Sequence, residues 1–225
     1  MSASLVYDPD GHRTSLAVGS VTTGYFYDYD SRLTSLSYNG NSLGQITYNY
    51  DNDGRVTSEG GSLASLNLPQ TEGANTANTY SFINQITSWN GFAPSVPDFA
   101  GNLTEDPVTK AQYFWDSRNQ LSSITGGPAT TFNAAYDATM RRYDQNTAFG
   151  GTTTYLHDEK DVAQSATTGG QSNPVNNYLT MPGTGEVLAF TTTGGTYVPL
   201  HDRLGSTIGL VNSSNVLQTQ YTYDP

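Results

Sequence analysis

The sequence predicts an all-β chain built from tandem antiparallel hairpins that form one long curled sheet. Three observations predict it. Charged residues make up only 13% of the 225, whereas Gly numbers 23 and Tyr 16, and no stretch holds the apolar spacing of three and four that marks a helix. Short runs alternate in period two and are rich in β-branched and aromatic residues, as half-buried strands are. One hairpin unit recurs, mostly about every 21 residues, which signals an array of supersecondary units.

The unit is clearest at Ile46-Thr47-Tyr48-Asn49-Tyr50-Asp51-Asn52-Asp53-Gly54-Arg55-Val56-Thr57-Ser58. Ile46, Tyr48 and Tyr50 point to one face, Thr47 and Asn49 to the other. Asp51 is suited to cap the backbone at the first position of a type I turn. Gly54, three residues on, accepts the left-handed conformation. Arg55 to Ser58 leaves as the second strand, with register set by the turn. Tyr7-Asp8-Pro9-Asp10-Gly11-His12-Arg13 and Tyr27-Asp28-Tyr29-Asp30-Ser31-Arg32-Leu33 have the same shape. Tyr38-Asn39-Gly40-Asn41 suits a turn with positive φ at both centres.

Residues 60–79 break the rhythm: Leu63, Leu66 and Leu68 suit a sheet face, and Thr71 to Asn78 reads as a polar loop. Ser81-Phe82-Ile83-Asn84-Gln85 keeps the strands without the aspartate. Pro94 and Pro97 mark an edge or crossover, and Pro97-Asp98-Phe99-Ala100-Gly101-Asn102 keeps the turn without the tyrosine. Trp115-Asp116 and Tyr136-Asp137 head two further copies, the second with Met140 where the glycine belongs. Asp8, Asp30, Asp51, Asp116, Asp137 and Asp158 mark the best copies. Ala166 to Asn173 reads as a flexible loop. The stretch from Tyr197 gives three strands, turning at Asp202 to Gly205 and at Asn212 to Asn215.

Tyr-Asp followed by Gly or Asn, Arg, Leu and Thr resembles the signature of bacterial RHS/YD-repeat proteins. Tyr50-Asp51-Asn52-Asp53-Gly54-Arg55-Val56-Thr57 carries it best. Leu200-His201-Asp202-Arg203-Leu204-Gly205-Ser206-Thr207, then Tyr221-Thr222-Tyr223-Asp224-Pro225, resemble the entrance to that family's RHS-associated core. The resemblance covers nearly the whole chain except residues 60–79. It implies a repeat array over residues 1–196 and the start of a core-like segment over 197–225, cut within a motif. It further implies a spiral β-shell. The residues it marks are structural repeat positions: Tyr7, Asp8, Gly11, Tyr29, Asp30, Arg32, Tyr50, Asp51, Gly54, Arg55, Asp98, Gly101, Asn102, Trp115, Asp116, Tyr136, Asp137, Asp202, Leu204, Gly205, Ser206, Tyr223 and Asp224.

Net charge is −11 with nine scattered Lys and Arg, so no basic footprint for nucleic acid or anionic lipid exists. Cys is absent, which excludes disulfides and thiolate metal sites. No secretory signal peptide stands at Met1, and no apolar run reaches membrane-spanning length. Asn49 to Gly54 imitates the first half of a calcium loop, but the twelfth position is Gly60 and Glu59 is one residue off, so a plain turn is the better reading. His201, Asp202 and Ser206 could be drawn as a hydrolase triad. They fall in one hairpin without a strained nucleophile turn, and all three His are expected to face solvent or cap turns.

The expected function is therefore non-enzymatic, with no cofactor or metal. The resemblance implies a fragment of a shell that encloses a C-terminal toxin or effector. Its partners would be the rest of the parent protein and that cargo, and its location secreted or cell-surface in bacteria. The family's self-cleaving aspartyl protease would lie beyond the C-terminus. The alternative is a cell-surface adhesin binding glycans on Trp89, Trp115 and Tyr113. A β-propeller is disfavoured by the irregular residues 60–79.

Overall fold

A computed structural model describes residues 1–64, 79–83, 85–89, 91–93, 97–127 and 131–223. Leu66, Leu68, the loop from Thr71 to Asn78, Asn84, Pro94, Asp224 and Pro225 lie outside the described residues. Every regular element described is a β-strand, and neighbouring strands pair antiparallel. The chain divides into two compact units, residues 1–69 with 176–225, and residues 70–175.

In the first unit, six strands form one meander in chain order: β1 (Ala3–Tyr7), β2 (Arg13–Val18), β3 (Val21–Tyr27), β4 (Leu33–Tyr38), β5 (Gly44–Tyr50) and β6 (Val56–Gly60). In the second unit, β7 (Thr79–Tyr80) pairs with β8 (Ile86–Ser88). Six further strands follow there in order: β9 (Gln112–Trp115), β10 (Leu121–Thr125), β11 (Phe132–Tyr136), β12 (Arg142–Thr147), β13 (Gly151–Asp158) and β14 (Asp161–Thr168). The first unit ends in β15 (Val175–Thr180), β16 (Val187–Thr192), β17 (Gly195–His201), β18 (Thr207–Asn212) and β19 (Leu217–Gln220), again consecutive neighbours.

Period two is visible in the burial. Along β5, Gly44, Ile46 and Tyr48 are buried while Gln45, Thr47 and Asn49 are not. Two expectations change. The first unit is not one long sheet: β1 to β6 and β15 to β19 face each other across an aliphatic core. Val21, Leu36, Tyr38, Ile46, Tyr48 and Leu63 from the first meander pack with Leu200, Ile208 and Val211 from the second. A smaller cluster joins Leu16 and Val18 to Leu188 and Ala189. The alternation that makes one face of each meander apolar leaves that face to be covered, and the other meander covers it. Second, Ala166 to Thr168 belong to β14 rather than to a loop, because Thr152, Thr153 and Thr154 of β13 pair with Thr168, Thr167 and Ala166.

Polar bonds cross the same seam. The Tyr38 hydroxyl, buried, donates to the His201 carbonyl at 2.6 Å. The Arg203 N–H donates to the Tyr48 hydroxyl at 3.1 Å, and Ser20 donates to Asn215 at 2.8 Å. Burial pushes the Tyr48 hydroxyl up to about 12, so it stays a neutral acceptor across ordinary pH.

Truncating Leu36 or Ile46 to Ala removes side chains that are 1% and 0% exposed. Each should cost about 2–5 kcal/mol in denaturant unfolding. Leu204→Ala, at a residue 75% exposed, should stay within about 0.5 kcal/mol.

Candidate functional site: the locked hairpin turn

The feature that recurs through the described residues is a turn, and its chemistry begins with one carboxylate. In the unit at Asp51, the Gly54 N–H donates to the Asp51 carbonyl at 3.1 Å and the Asp51 N–H donates to the Arg55 carbonyl at 2.9 Å. The Asp51 carbonyl is thereby taken, and the N–H of Arg55 needs another acceptor. Asp51 Oδ1 supplies it at 2.8 Å, and also takes the Asp53 N–H at 3.0 Å. One side-chain oxygen thus closes a three-residue loop.

The same oxygen binds the N–H groups two and four residues on at Asp8, Asp28, Asp98, Asp116, Asp137 and Asp202, and at Asn212 through its amide oxygen. The residue three places after each has positive φ: Gly11, Ser31, Gly54, Gly101, Asn119, Met140, Gly205 and Asn215. At Ser81, the hydroxyl stands in and accepts the Gln85 N–H at 3.2 Å. Met140 at φ 68 is the costliest occupant, an unbranched residue that the turn holds in a left-handed conformation.

Behind the turn the register shifts. Tyr7 faces Arg13 but Val6 faces Ser15, so Thr14 is an extra residue in the second strand. Thr34, Thr57, Ser122, Tyr143, Ile208 and Gln218 are extra in the same place. A bulge disrupts the ladder locally. Two kinds of side chain repair it. The hydroxyls of Thr14, Thr34 and Ser122 donate to the carbonyls of Val6, Phe26 and Phe114 across the hairpin, at 3.2, 3.1 and 3.0 Å. The carbonyl just before the extra residue is taken by the next hairpin: Tyr27 donates to Arg13 at 3.0 Å, Tyr50 to Leu33 at 2.7 Å, Tyr136 to Leu121 at 2.9 Å and Tyr223 to Thr207 at 2.7 Å. Trp115 makes the equivalent bond through its indole N–H to Leu103, at 2.8 Å. Tyr27, Tyr50, Tyr136 and Trp115 each stand directly before a turn aspartate. The tyrosine and aspartate of the repeat are therefore one device: the aspartate closes its own hairpin and its neighbour fastens that hairpin to the one before.

Arginine links forward. Arg32 pairs with Asp28 at 2.8 Å, donates to the Asp51 carbonyl of the next turn at 3.2 Å and lies 5.1 Å from the Tyr50 ring centroid. Arg118 donates to the Asp137 carbonyl at 3.0 Å, and Arg141 pairs with Asp137 and reaches the Glu159 carbonyl.

The sequence-derived residues fall as follows. Asp8, Gly11, Tyr50, Asp51, Gly54, Asp98, Gly101, Asn102, Trp115, Asp116, Tyr136, Asp137, Asp202, Gly205, Ser206 and Tyr223 occupy the turn, lock or closing positions just described. Tyr7 ends β1 exposed, Arg55 reaches Asp53 in solvent, and Leu204 is exposed. Asp224 lies outside the described residues. Asp30 is not the turn aspartate of its copy. Asp28 is, and Asp30 gives its N–H to Asp28 and pairs its carboxylate with Arg32 at 3.1 Å, while Tyr29 points fully into solvent. The physical reason is legible afterwards: a turn opening at Asp30 would force Leu33 into positive φ, whereas opening at Asp28 places Ser31 there. Asp158 likewise closes no such loop; it pairs directly with Asp161. Tyrosines link neighbouring hairpins by hydroxyl-to-carbonyl bonds and arginine contacts. The ring pairs found are His12 on Tyr27 at 4.8 Å, and Phe190 with Tyr178 and Tyr197.

The carboxylates that imitate ligand sets are occupied. Asp51 Oδ1 holds two N–H groups. Asp8, Asp10 and His12 bring ligand atoms within 4.8 Å of one another, with Asp8 already accepting the Asp10 and His12 N–H groups and facing the His12 ring at 3.0 Å. Asp202 is spent on the Leu204 and Ser206 N–H groups. His201, expected to face solvent or cap a turn, instead packs inward with its Nδ1 3.9 Å from Glu186.

No model of a known protein family matches the chain, and no curated protein matches it. Solved structures do. The chain is similar to one described as TcdB2-TccC3-Cdc42, with a TM-score of 0.65 at 13% identity, over 98% of this chain and 15% of that one. It is similar to TcdB2-TccC3 without its hypervariable C-terminal region, with a TM-score of 0.64 at 13% identity and the same coverage. A third, a Tc holotoxin pore from Photorhabdus luminescens, superposes at a TM-score of 0.47 with 11% identity. The likeness is one of fold, an RHS-like all-β fold. The chain spans about a seventh of the length of the chains it resembles.

Tyr50→Phe removes only the hydroxyl that reaches Leu33. It should cost about 1–3 kcal/mol by leaving a carbonyl unpaired, whereas Tyr29→Phe, at a fully exposed ring, should leave the unfolding midpoint unchanged. The turn carboxylates also set an acid limit. The Arg32 N–H holds Asp28 below the ordinary 3.8, the Asn102 amide does so for Asp98, the Gln120 N–H for Asp116 and the Thr139 hydroxyl with the Arg141 N–H for Asp137. A folded value below the unfolded one stabilises above pH 3.8, and that contribution is lost as pH falls below it. Urea unfolding should show a steep loss of stability below about pH 4, and Asp137→Asn, which keeps the accepting oxygen, should flatten it.

Proposed function

We propose that this chain is a segment of wall in an RHS-type β-shell, a structural container for a toxin or effector polypeptide. The observation that carries this reading is the lock between successive hairpins. At Tyr27-Asp28, Tyr50-Asp51 and Tyr136-Asp137 the aspartate closes its own turn and the tyrosine supplies the donor that repairs the bulge of the hairpin before it. Such a unit extends a sheet hairpin by hairpin, with each unit depending on its neighbours, as a wall requires. The fold shared with TcdB2-TccC3 chains supports the same reading.

On this reading the chain's partners are the remainder of its parent protein and the cargo that protein carries, and the parent is exported as a toxin complex or displayed at the bacterial surface. The chain contributes containment, and no catalytic step is assigned to it. The YD signature at Tyr50-Asp51 and the Leu204-Gly205-Ser206 stretch resemble those of the RHS family and support this reading. The glycan-binding alternative gains no support from the platform suggested for it, since the Trp115 indole N–H is committed to the Leu103 carbonyl.

The test is protease protection. The complete product of the gene that encodes this chain is purified and digested with trypsin, native and after urea unfolding. The expected outcome is a C-terminal polypeptide that survives in the native particle and is degraded once the wall is unfolded. A product with no polypeptide beyond the repeats, or one digested equally in both states, would overturn the container reading.

A further inference from the structure

Among the described residues, a half-buried cluster of titratable groups that the hairpin lock does not use lies in the first unit, where its two meanders meet. Arg13, at the start of β2, grips Glu186, just before β16, with both nitrogens, at 3.0 and 2.8 Å. Arg13 also donates to the Tyr25 hydroxyl of β3 at 3.2 Å. His201, at the end of β17, presents Nδ1 3.9 Å from the same Glu186 oxygen that Arg13 holds, with 16% of its side chain exposed. The backbone of His201 accepts the Tyr38 hydroxyl of β4 at 2.6 Å. These groups line a cavity of about 350 Å³ together with Tyr27, Asp202 and Arg203.

The geometry points to a protonation-sensitive clasp, in which a charge on His201 weakens the Arg13–Glu186 pair that joins the two meanders. The physical argument is a competition. Glu186 is one anion facing one permanent cation, and the pair is balanced while His201 is neutral. Protonation adds a second cation beside Arg13, in a partly desolvated site, and the two must share the Glu186 carboxylate. The other groups facing the ring are Asp202 on its own turn, Arg203 beyond it, and Tyr25, Tyr27 and Tyr38 from β3 and β4. Asp202 has already spent one carboxylate oxygen on the Leu204 and Ser206 N–H groups. Burial pulls the His201 imidazole below its ordinary 6.5, and the attraction of Glu186 and Asp202 does not offset it. The sign follows. A histidine whose folded value is depressed contributes stability above pH 6.5, and the contribution is lost as pH falls below it. Acid therefore loosens the seam between the meanders well before the turn aspartates titrate. The inference uses only the geometry of this unit and stands whether or not the chain encloses a cargo.

The test follows the three histidines of the intact chain by NMR between pH 8 and 4.5, with urea unfolding over the same range. His201 should titrate below pH 6.5, and protection of β2 and β17 amides, corrected for intrinsic exchange, should fall at least tenfold as it does so. His201→Gln should abolish that fall, while His12→Gln and His157→Gln should keep it. Glu186→Gln, which removes the shared anion, should move the His201 titration still lower. A His201 that titrates at or above 6.5, or a loss of protection that persists in His201→Gln, would overturn the clasp. Should His201→Gln not fold, the wild-type titration and the Glu186→Gln shift decide the matter by themselves.

Discussion

The architecture depends on a backbone carbonyl that its own hairpin cannot satisfy. The three-residue loop shifts the register of the strand pair, and the extra residue at Thr14, Thr34 or Ser122 leaves the ladder incomplete beside it. A half-buried, unpaired carbonyl is costly. The donor comes from the next hairpin, as the Tyr27, Tyr50, Tyr136 or Tyr223 hydroxyl or the Trp115 indole. Where this lock is made, a hairpin is completed by its successor. This turns a local turn motif into an array, and it explains why the aromatic residue sits directly before the aspartate. That position is the last one in the strand from which a side chain can lie across the preceding hairpin.

The donor has to be long, rigid and tipped with a hydrogen-bonding group, which is why tyrosine and once tryptophan serve. A phenylalanine would bury the same area and leave the carbonyl unpaired. The turn carboxylate has to accept and never donate, which is why aspartate dominates and asparagine, at Asn212, serves only through its oxygen. The left-handed position tolerates Ser31, Asn119 and even Met140 because the bonds on either side hold the loop closed. The first unit adds a second level of order. Its two meanders bury aliphatic side chains against each other and carry polar ties, Tyr38 to His201 and Arg13 to Glu186, through the same seam. One ion pair thus sits where the two sheets of this unit join.

Much of the fold was legible. Alternation along Ile46, Thr47, Tyr48 and Asn49 named both the strand and its buried face, and the turns at Asp51, Asp202 and Asn212 fall where their residue types require. The tandem Tyr27-Asp28-Tyr29-Asp30 was misread because both pairs match the signature. Only the demand for a left-handed residue three places on separates them, and it excludes Leu33. The bulge threonines were visible in the sequence but had no meaning there, since an extra residue is a property of two strands paired. The Ala166 to Thr168 segment looked like loop by composition and is strand because β13 offers it a partner.

What the sequence by itself determined is everything whose cause lies within about one hairpin: strand alternation, the aspartate cap, the left-handed position, the absence of helices and of thiol chemistry. Those are short-range consequences of side-chain shape and hydrogen-bonding capacity. Only the tertiary structure decided what the tyrosines bond to, that Leu36 and Ile46 face Leu200 and Val211, and that His201 turns inward toward Glu186 and Arg13. Those partners lie more than a hundred residues apart in the chain, except for the tyrosine locks and the approach of His201 to Glu186. No local pattern specifies which apolar face will cover another, because any face of the right width satisfies the hydrophobic requirement, and the choice is made by the packing of the whole unit.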